Sequence, residues 1–325
     1  MRGGKASRVL LGLVAVGTVV VVGAKIASDK LFEQPLIDGC FAHVAGKTTR
    51  LSVEEAENAA LISALSVRRG MPARAASIAL VTAFQESGMR NIDYGDRDSV
   101  GLFQQRPSQG WGTAEQILDP YYATTRFYAA LENVDGYDVM AIADAAQLVQ
   151  RSADGAAYAQ HEPGARTLAS SLTGETPAAF FCELRDVPAT ASPQALRDEL
   201  AKAFGSGTDD ARADDVASRS LTRDDPAESG DDSADAEGAG PERTEAGAAV
   251  GADDEAVVDI PLGEASPAYG WSVAQWAVAY SQRFGIVSVS YGARTWSAEQ
   301  SSEGWQQADP RAPAGRVRIV LAASN

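Results

Sequence analysis

VTAFQESGMRNIDYGDRDSVGLFQQRPSQGW, residues Val81–Trp111, is the stretch whose reading decides the fold. It starts on an apolar helix (Ile78, Ala79, Leu80, Val81, Ala83, Phe84) and ends in a loop rich in Gly, Gln and Trp. Glu86 sits at the junction. A carboxyl at the rim of an apolar helix is partly desolvated, and desolvation favours the protonated form that a general acid needs. Asp96, Arg97 and Asp98 follow, then Gly101-Leu-Phe-Gln-Gln105. One segment therefore supplies a candidate acid, further carboxylates, and amides able to hydrogen-bond a polar ligand.

Working outward, helical spacing dominates from Ser52 to Thr173. Ser52-Val-Glu-Glu55 reads as a capping box, followed by Ala56, Ala59, Ala60, Ile62, Leu65 and Val67 at helical spacing, with Gly70 as the stop. Pro72 suits the first turn of a helix running to about Glu86. Thr113-Ala-Glu-Gln116 repeats the capping pattern, and Asp119-Pro120 caps a helix through Leu131. Further helices are expected from Asp138 to about Gln150 and from Gly164 to Leu172. No strand pattern stands out here, so a compact all-α domain is expected. Tyr121, Tyr122, Phe127 and Tyr128 lie at helical spacing and read as core. Trp111, in a Gly-rich loop, is either a cleft wall for a sugar ring or simple loop packing.

These residues resemble the goose-type lysozyme and lytic transglycosylase group of the lysozyme-like fold. That group carries a Glu-Ser pair at a helix end, here Glu86-Ser87, and then a Gly-Leu-Met-Gln turn. Here the turn is Gly101-Leu102-Phe103-Gln104, with Gln104 eighteen residues beyond Glu86. Gly95-Asp96-Arg97 is similar to the Gly-Asp-Arg of the goose-type enzymes. The group's third motif, Ala-Tyr-Asn-Ala-Gly, does not occur as such; its place falls at Ala145–Gln150 followed by Tyr158.

The resemblance implies a peptidoglycan glycosidase cleaving the β-1,4 bond between N-acetylmuramic acid and N-acetylglucosamine, by hydrolysis or lytic transglycosylation. Glu86 and Asp96 would be catalytic. Ser87, Asp98, Gln104, Gln105, Trp111, Gln147 and Tyr158 would contact substrate. No cofactor is expected. Other readings stay open: Glu86 as an exposed helix-end acid, or a lysozyme-like domain that binds glycan without cutting it, as a wall-binding scaffold with envelope protein partners.

The rest of the chain divides by composition. Residues 1–30 read as a membrane anchor: Arg2, Lys5 and Arg8 precede an uncharged run from Val9 to Ala24, followed by Lys25 and Lys30. A spanning helix wants about 20 apolar residues, which favours an uncleaved signal anchor over a cleaved peptide and puts the bulk outside the cytoplasm. Cys40 and Cys182, the only cysteines, bracket the helical region; in an extracytoplasmic chain they read as a disulfide closing a long loop, about 5 kcal/mol in the chain-entropy picture. With His43 and His161 they show no ligand spacing, so no metal is expected.

The net charge of −16 is uneven: Ser206 to Glu255 holds 16 acids and 4 bases, leaving about −4 elsewhere. That argues against a nucleic-acid partner, whose phosphates need a basic surface. The acidic run contains almost no large apolar side chains and is expected to be disordered. The expected organisation is thus an anchor (1–30), a lysozyme-like α domain (40–185), and a small α+β domain (190–325) interrupted by the acidic insertion (about 206–258). In that last domain Ser192 caps a short helix to Phe204, expected to pack on a sheet. Tyr269–Phe284 forms a helix, and Ile286–Tyr291, Arg294–Trp296 and Arg316–Leu321 read as strands. Similar α+β tails follow lysozyme-like domains in actinobacterial envelope proteins, and a composition rich in Ala, Gly and Arg suits such a source.

Overall fold

Ser52 begins the first long helix, α1 (Val53–Arg68): its hydroxyl accepts from Glu55 N at 3.3 Å while Glu55 Oε2 accepts from Ser52 N at 2.8 Å. Two reciprocal bonds thus satisfy donors that a helix start leaves orphaned. Arg69 caps the far end and Gly70 turns away with φ of 66°. The next helix, α2 (Ala73–Ser87), starts one residue later than expected, with Pro72 as its N-cap rather than inside its first turn. From Ala75 to Ala83 every residue of α2 is buried. A helix apolar on all sides must be enclosed, and here α1, α4 (Pro120–Leu131), α5 (Ile142–Gln150) and α7 (Glu162–Leu172) enclose it.

The computed structural model describes residues 38–151, 156–188, 192–205, 256–308 and 312–323. The expected anchor (1–30) and nearly all of the acidic insertion lie outside these. Among the described residues no helix is long and apolar enough to cross a membrane. Residues 256–258, assigned by composition to the insertion, instead open strand β4.

Three strands correct the expectation of an all-α N-terminal part: β1 (Gly39–Val44), β2 (Lys47–Leu51) and β3 (Phe180–Glu183) form an antiparallel sheet in the order β2-β1-β3. Ala45-Gly46, both with positive φ, make the tight β1–β2 hairpin turn. The strands are short, and the apolar, partly buried Phe41 and Phe181 lie on the sheet face opposite Cys40 and Cys182, so the alternation is obscured in the sequence. Cys40 lies directly opposite Cys182 across β1 and β3, and the two are disulfide-bonded.

The shorter helices of this part are α3 (Ala114–Leu118), capped by Thr113 as the sequence indicates, and α6 (Ala156–Ala159). Asp119 caps α4 by accepting from Tyr121 N at 2.9 Å. Phe127 and Tyr128 are core, as their spacing implies.

The C-terminal part is a five-stranded antiparallel sheet, β4 (Ala256–Pro261), β8 (Arg316–Leu321), β5 (Ile286–Tyr291), β6 (Arg294–Ser297) and β7 (Gln306–Gln307), in that spatial order. The helix expected over 269–284 breaks at Tyr280 into α9 (Pro267–Ala279) and α10 (Ser281–Phe284). One face of α9 meets β5 and another meets α1 and β3, so the described residues cluster as one compact unit. The helix α8 (Pro193–Phe204) packs mainly on α1 rather than on the sheet. Phe204 sets its ring edge-on against Tyr269 and Trp276.

Buried polar bonds stitch the two parts. Gln275 Oε1, with its side chain fully buried, accepts from Ala179 N at 2.8 Å and Phe180 N at 2.7 Å, while its Nε2 donates to Ser171 O at 2.5 Å. Trp296 and Trp305 donate to the carbonyls of Cys182 and Phe180. Gly174 permits the approach: a Cβ there would come within 1.8 Å of Ala268 O. Between α1, α4, α8 and α10 lies a second polar knot. Tyr121 donates to Glu199 Oε1 at 3.0 Å, and Arg283 reaches both Glu199 and Glu57 at 3.8 and 3.7 Å. Burial pushes the Glu57 carboxyl up to about 6, with Glu199 and Glu54 adding to the rise and Arg283 opposing it.

Two outcomes follow from these knots. Replacing Gln275 with Leu strands the buried N–H groups of Ala179 and Phe180, each worth about 1–3 kcal/mol, while the Ser171 carbonyl keeps its bond from Gly174 N at 2.9 Å. Chemical denaturation should therefore show a loss of at least about 2 kcal/mol, and a loss under about 1 kcal/mol would mean that the seam is held otherwise. Glu57 binds its proton more tightly folded than unfolded, so its contribution is complete below its ordinary value of 4.5 and is lost as pH rises through about 6. Stability measured across that window should decline with pH, and Glu57→Gln should flatten the decline.

Candidate functional site

The end of α2 is where charge first emerges from the buried helix. Gly88 takes the left-handed conformation, φ 62°, that closes the helix, and Met89 follows with φ of 63°. Ser87 is buried; its hydroxyl donates to Ala83 O at 3.1 Å and to Leu102 O at 2.8 Å. This residue therefore fastens the helix end to the Gly101–Gln104 turn and has no face toward solvent. Glu86, one position earlier, is half-buried and accepts a 2.6 Å bond from the hydroxyl of Tyr158. Tyr158 itself is 1% exposed and comes from α6. Two residues 72 positions apart, both singled out in the sequence, thus meet.

The other named residues divide between loop-builders and surface. Asp98 accepts from Ser108 N at 2.8 Å, Arg106 Nε at 2.7 Å and Ser108 Oγ at 3.0 Å. The Ser108 backbone N–H, with Arg106 and the Ser108 hydroxyl, holds its carboxyl well below the usual carboxylate range. Gln104, at φ 47°, donates to Tyr94 O and Gly101 O. Its amide lies where a Cβ on Gly95 would be, 1.8 Å away, so position 95 must be glycine. Gln105 is 1% exposed and donates to Ala123 O at 3.1 Å. Asp96 points into solvent: its side chain is 91% exposed, with only Arg97 nearby at 3.8 Å. Gln147 is half-buried on α5.

Trp111 is partly buried, and its carbonyl accepts from the Tyr122 hydroxyl at 3.2 Å. It lines a groove of about 450 Å³ together with Arg126, Asn133 and Arg151. Among the described residues no cluster of His, Cys, Asp and Glu is suited to a metal ion.

Sequence reasoning passed over several contributors. Gln150 donates from its amide to Phe103 O at 2.7 Å, tying α5 to the same turn that Ser87 holds. It is the last residue of the Ala145–Gln150 run, which was the available signal. Beside Glu86, Gln85 Oε1 sits 3.2 Å from His161 Nε2 and accepts from Gln160 at 3.3 Å, and Phe84 stacks on the His161 ring at 5.7 Å. Burial lowers the pKa of His161. Nothing local in the sequence joins these positions, because α2 and α7 meet only through the fold.

The family described as VldE, C-terminal domain, matches residues 253–315, well under half the chain. The matched stretch starts beside β4 and ends just short of β8, a region separate from Glu86 and the turn. No curated protein matches the chain.

The Asp98 contacts predict an acid-labile loop. Its folded-state pKa is depressed, so the stabilisation is present above its ordinary value of 3.8 and is lost as pH falls toward the lowered folded value. Proteolysis of the 89–112 loop should accelerate in that acid range with an acid-active protease. Asp98→Asn should bring the same susceptibility to neutral pH; equal cleavage rates at neutral pH would remove Asp98 as the loop's anchor.

Proposed function

We propose that the protein is a peptidoglycan glycosidase, cleaving between N-acetylmuramic acid and N-acetylglucosamine with Glu86 as the general acid. The observation that carries this reading is the Tyr158–Glu86 hydrogen bond at 2.6 Å. It fixes one oxygen of a half-buried carboxyl at a helix end and leaves the other for a proton to be delivered to a glycosidic oxygen. Three non-glycine residues in the left-handed region, Met89, Arg97 and Gln104, lie within the adjoining loop. Such strain collects where function over-determines the backbone.

Of the two chemical outcomes, attack by the muramyl 6-hydroxyl suits the loop better than inversion by water. A carboxylate that activates water must be held about 6.5–9.5 Å from the acid, and Asp96 has a side chain that is 91% exposed and paired at 3.8 Å with the exposed Arg97. In this reading Glu86 protonates the leaving oxygen, then takes the proton of the 6-hydroxyl as it closes on the anomeric carbon. The product ends in a 1,6-anhydro sugar. Residues 1–30 would anchor the enzyme in the membrane with the described residues outside the cytoplasm. The second reading is the wall-binding scaffold, favoured by the engagement of Ser87, Asp98 and Gln105 in holding the loop together.

Mass spectrometry of fragments released from purified sacculi tests the proposal. The expected products carry 1,6-anhydro ends, and Glu86→Gln, which keeps the shape but cannot donate the proton, should cut release by about 10²–10⁴-fold. Asp96→Asn should change little; a loss as large as that of Glu86→Gln, with reducing ends, would replace transglycosylation by hydrolysis. Binding without any release by the unaltered protein would establish the scaffold.

A further inference from the structure

We infer that the groove at Trp111, Arg126 and Arg151 is a binding site for a sugar ring that bears a carboxylate. The inference rests on the glycosidase reading for its choice of ligand. The groove has a volume of about 450 Å³, within the range that holds a small ligand. Among the described residues no Asp or Glu lines it, although the chain carries a net charge of −16. Its two guanidinium groups come from different elements. Arg126, on α4, donates from NH2 to Gly110 O at 3.1 Å, which sets the plane of the group, and its Nε is buried without a hydrogen-bond partner. Arg151 caps α5 in the left-handed conformation at φ 51° and is exposed. Trp111 and the exposed Leu148 supply apolar wall, and Gln109 and Asn133 supply amides.

This set has a chemical match. Pyranose rings offer an apolar face to indole and aliphatic surface and hydroxyls to amides. Guanidinium groups bind carboxylates through two parallel N–H bonds, stronger and more directional than an ammonium contact. In the proposed substrate only the muramyl unit carries acid: the lactyl carboxyl of a peptide-free strand, or the carboxylates of a stem peptide attached there. N-acetylglucosamine carries none.

The position of the groove agrees. Arg151 directly follows Gln150, whose amide holds Phe103 O, and Ser87 beside Glu86 holds Leu102 O. Groove and acid are thus fastened to neighbouring residues of one turn. A strand with a muramyl unit in the groove would be held in register with Glu86, so the groove would select which bond is presented.

The test is binding to the full chain, read by calorimetry at low salt, with N-acetylmuramic acid and N-acetylglucosamine as paired probes differing only in the lactyl group. N-acetylmuramic acid should bind at least tenfold tighter. Arg151→Gln should bring its affinity to that of N-acetylglucosamine at an unchanged melting temperature. Because Arg126 also braces Gly110, Arg126→Lys is the informative change there and should weaken binding while keeping the loop. Peptide-free glycan strands and stem-bearing muropeptides then identify the source: tighter arginine-dependent binding of the first assigns the lactyl carboxyl, of the second the stem. Equal affinity for the two sugars, or a preference that survives Arg151→Gln, overturns the inference. Cleavage plays no part in the monosaccharide measurements, and the strand and muropeptide measurements use Glu86→Gln, which keeps the groove intact. A chain that cuts sacculi without the preference keeps the glycosidase and loses the groove; one with the preference whose Glu86→Gln variant still cuts does the reverse.

Discussion

A helix that is apolar on every side constrains everything around it. From Ala75 to Ala83, α2 offers water no polar face, so the fold must supply neighbours all round. α1, α4, α5 and α7 do so, and each is itself rich in Ala, which lets helix axes approach closely. Charge can appear only where this enclosure ends. Glu86 stands there, and the same enclosure brings Tyr158 within 2.6 Å of it. The candidate acid is therefore a consequence of the packing and not an addition to it.

The turn from Gly101 to Gln105 depends on that helix end. Ser87 holds one carbonyl of the turn, Gln150 holds the next, and Gln105 is inserted against Ala123. Asp98 keeps the following loop in place through Arg106 and Ser108. Most of the polar side chains in the motif are thus engaged in building the site. What faces solvent is Glu86 in part, the 93–97 stretch with Tyr94 and Asp96, and the wall around Trp111.

The C-terminal sheet serves the same core from the other side. α9 lies between the sheet and α1, and Gln275 replaces water for two strand N–H groups and a helix carbonyl. Such a seam is strong only while complete, because each group left unpaired in a dry interior costs more than its bond contributes. The Glu57–Arg283–Glu199 knot has a different character. Burial lets Glu57 take up a proton at mildly acidic pH, so acidity favours the folded arrangement in which α8 docks beside it.

Local chemistry in the sequence determined a good deal. The capping boxes at Ser52 and Thr113, the Asp119-Pro120 and Ser192-Pro193 starts and three of the C-terminal strands all stand where their residues indicate. Each depends on bonds between near neighbours in the chain, which spacing records. The pairing of Cys40 with Cys182 was also legible, because two cysteines leave one choice. Only the tertiary structure decided the rest. The β1–β2–β3 sheet was hidden because its strands are short and carry Phe41 and Phe181 on the face opposite Cys40 and Cys182. β4 was hidden by the acidic composition before it. Where α8 docks, which named residues are buried anchors, and that Arg126 and Arg151 share a groove all depend on contacts between residues distant in sequence. No pattern along the chain encodes those distances; they are set when the enclosure of α2 is satisfied from all sides at once.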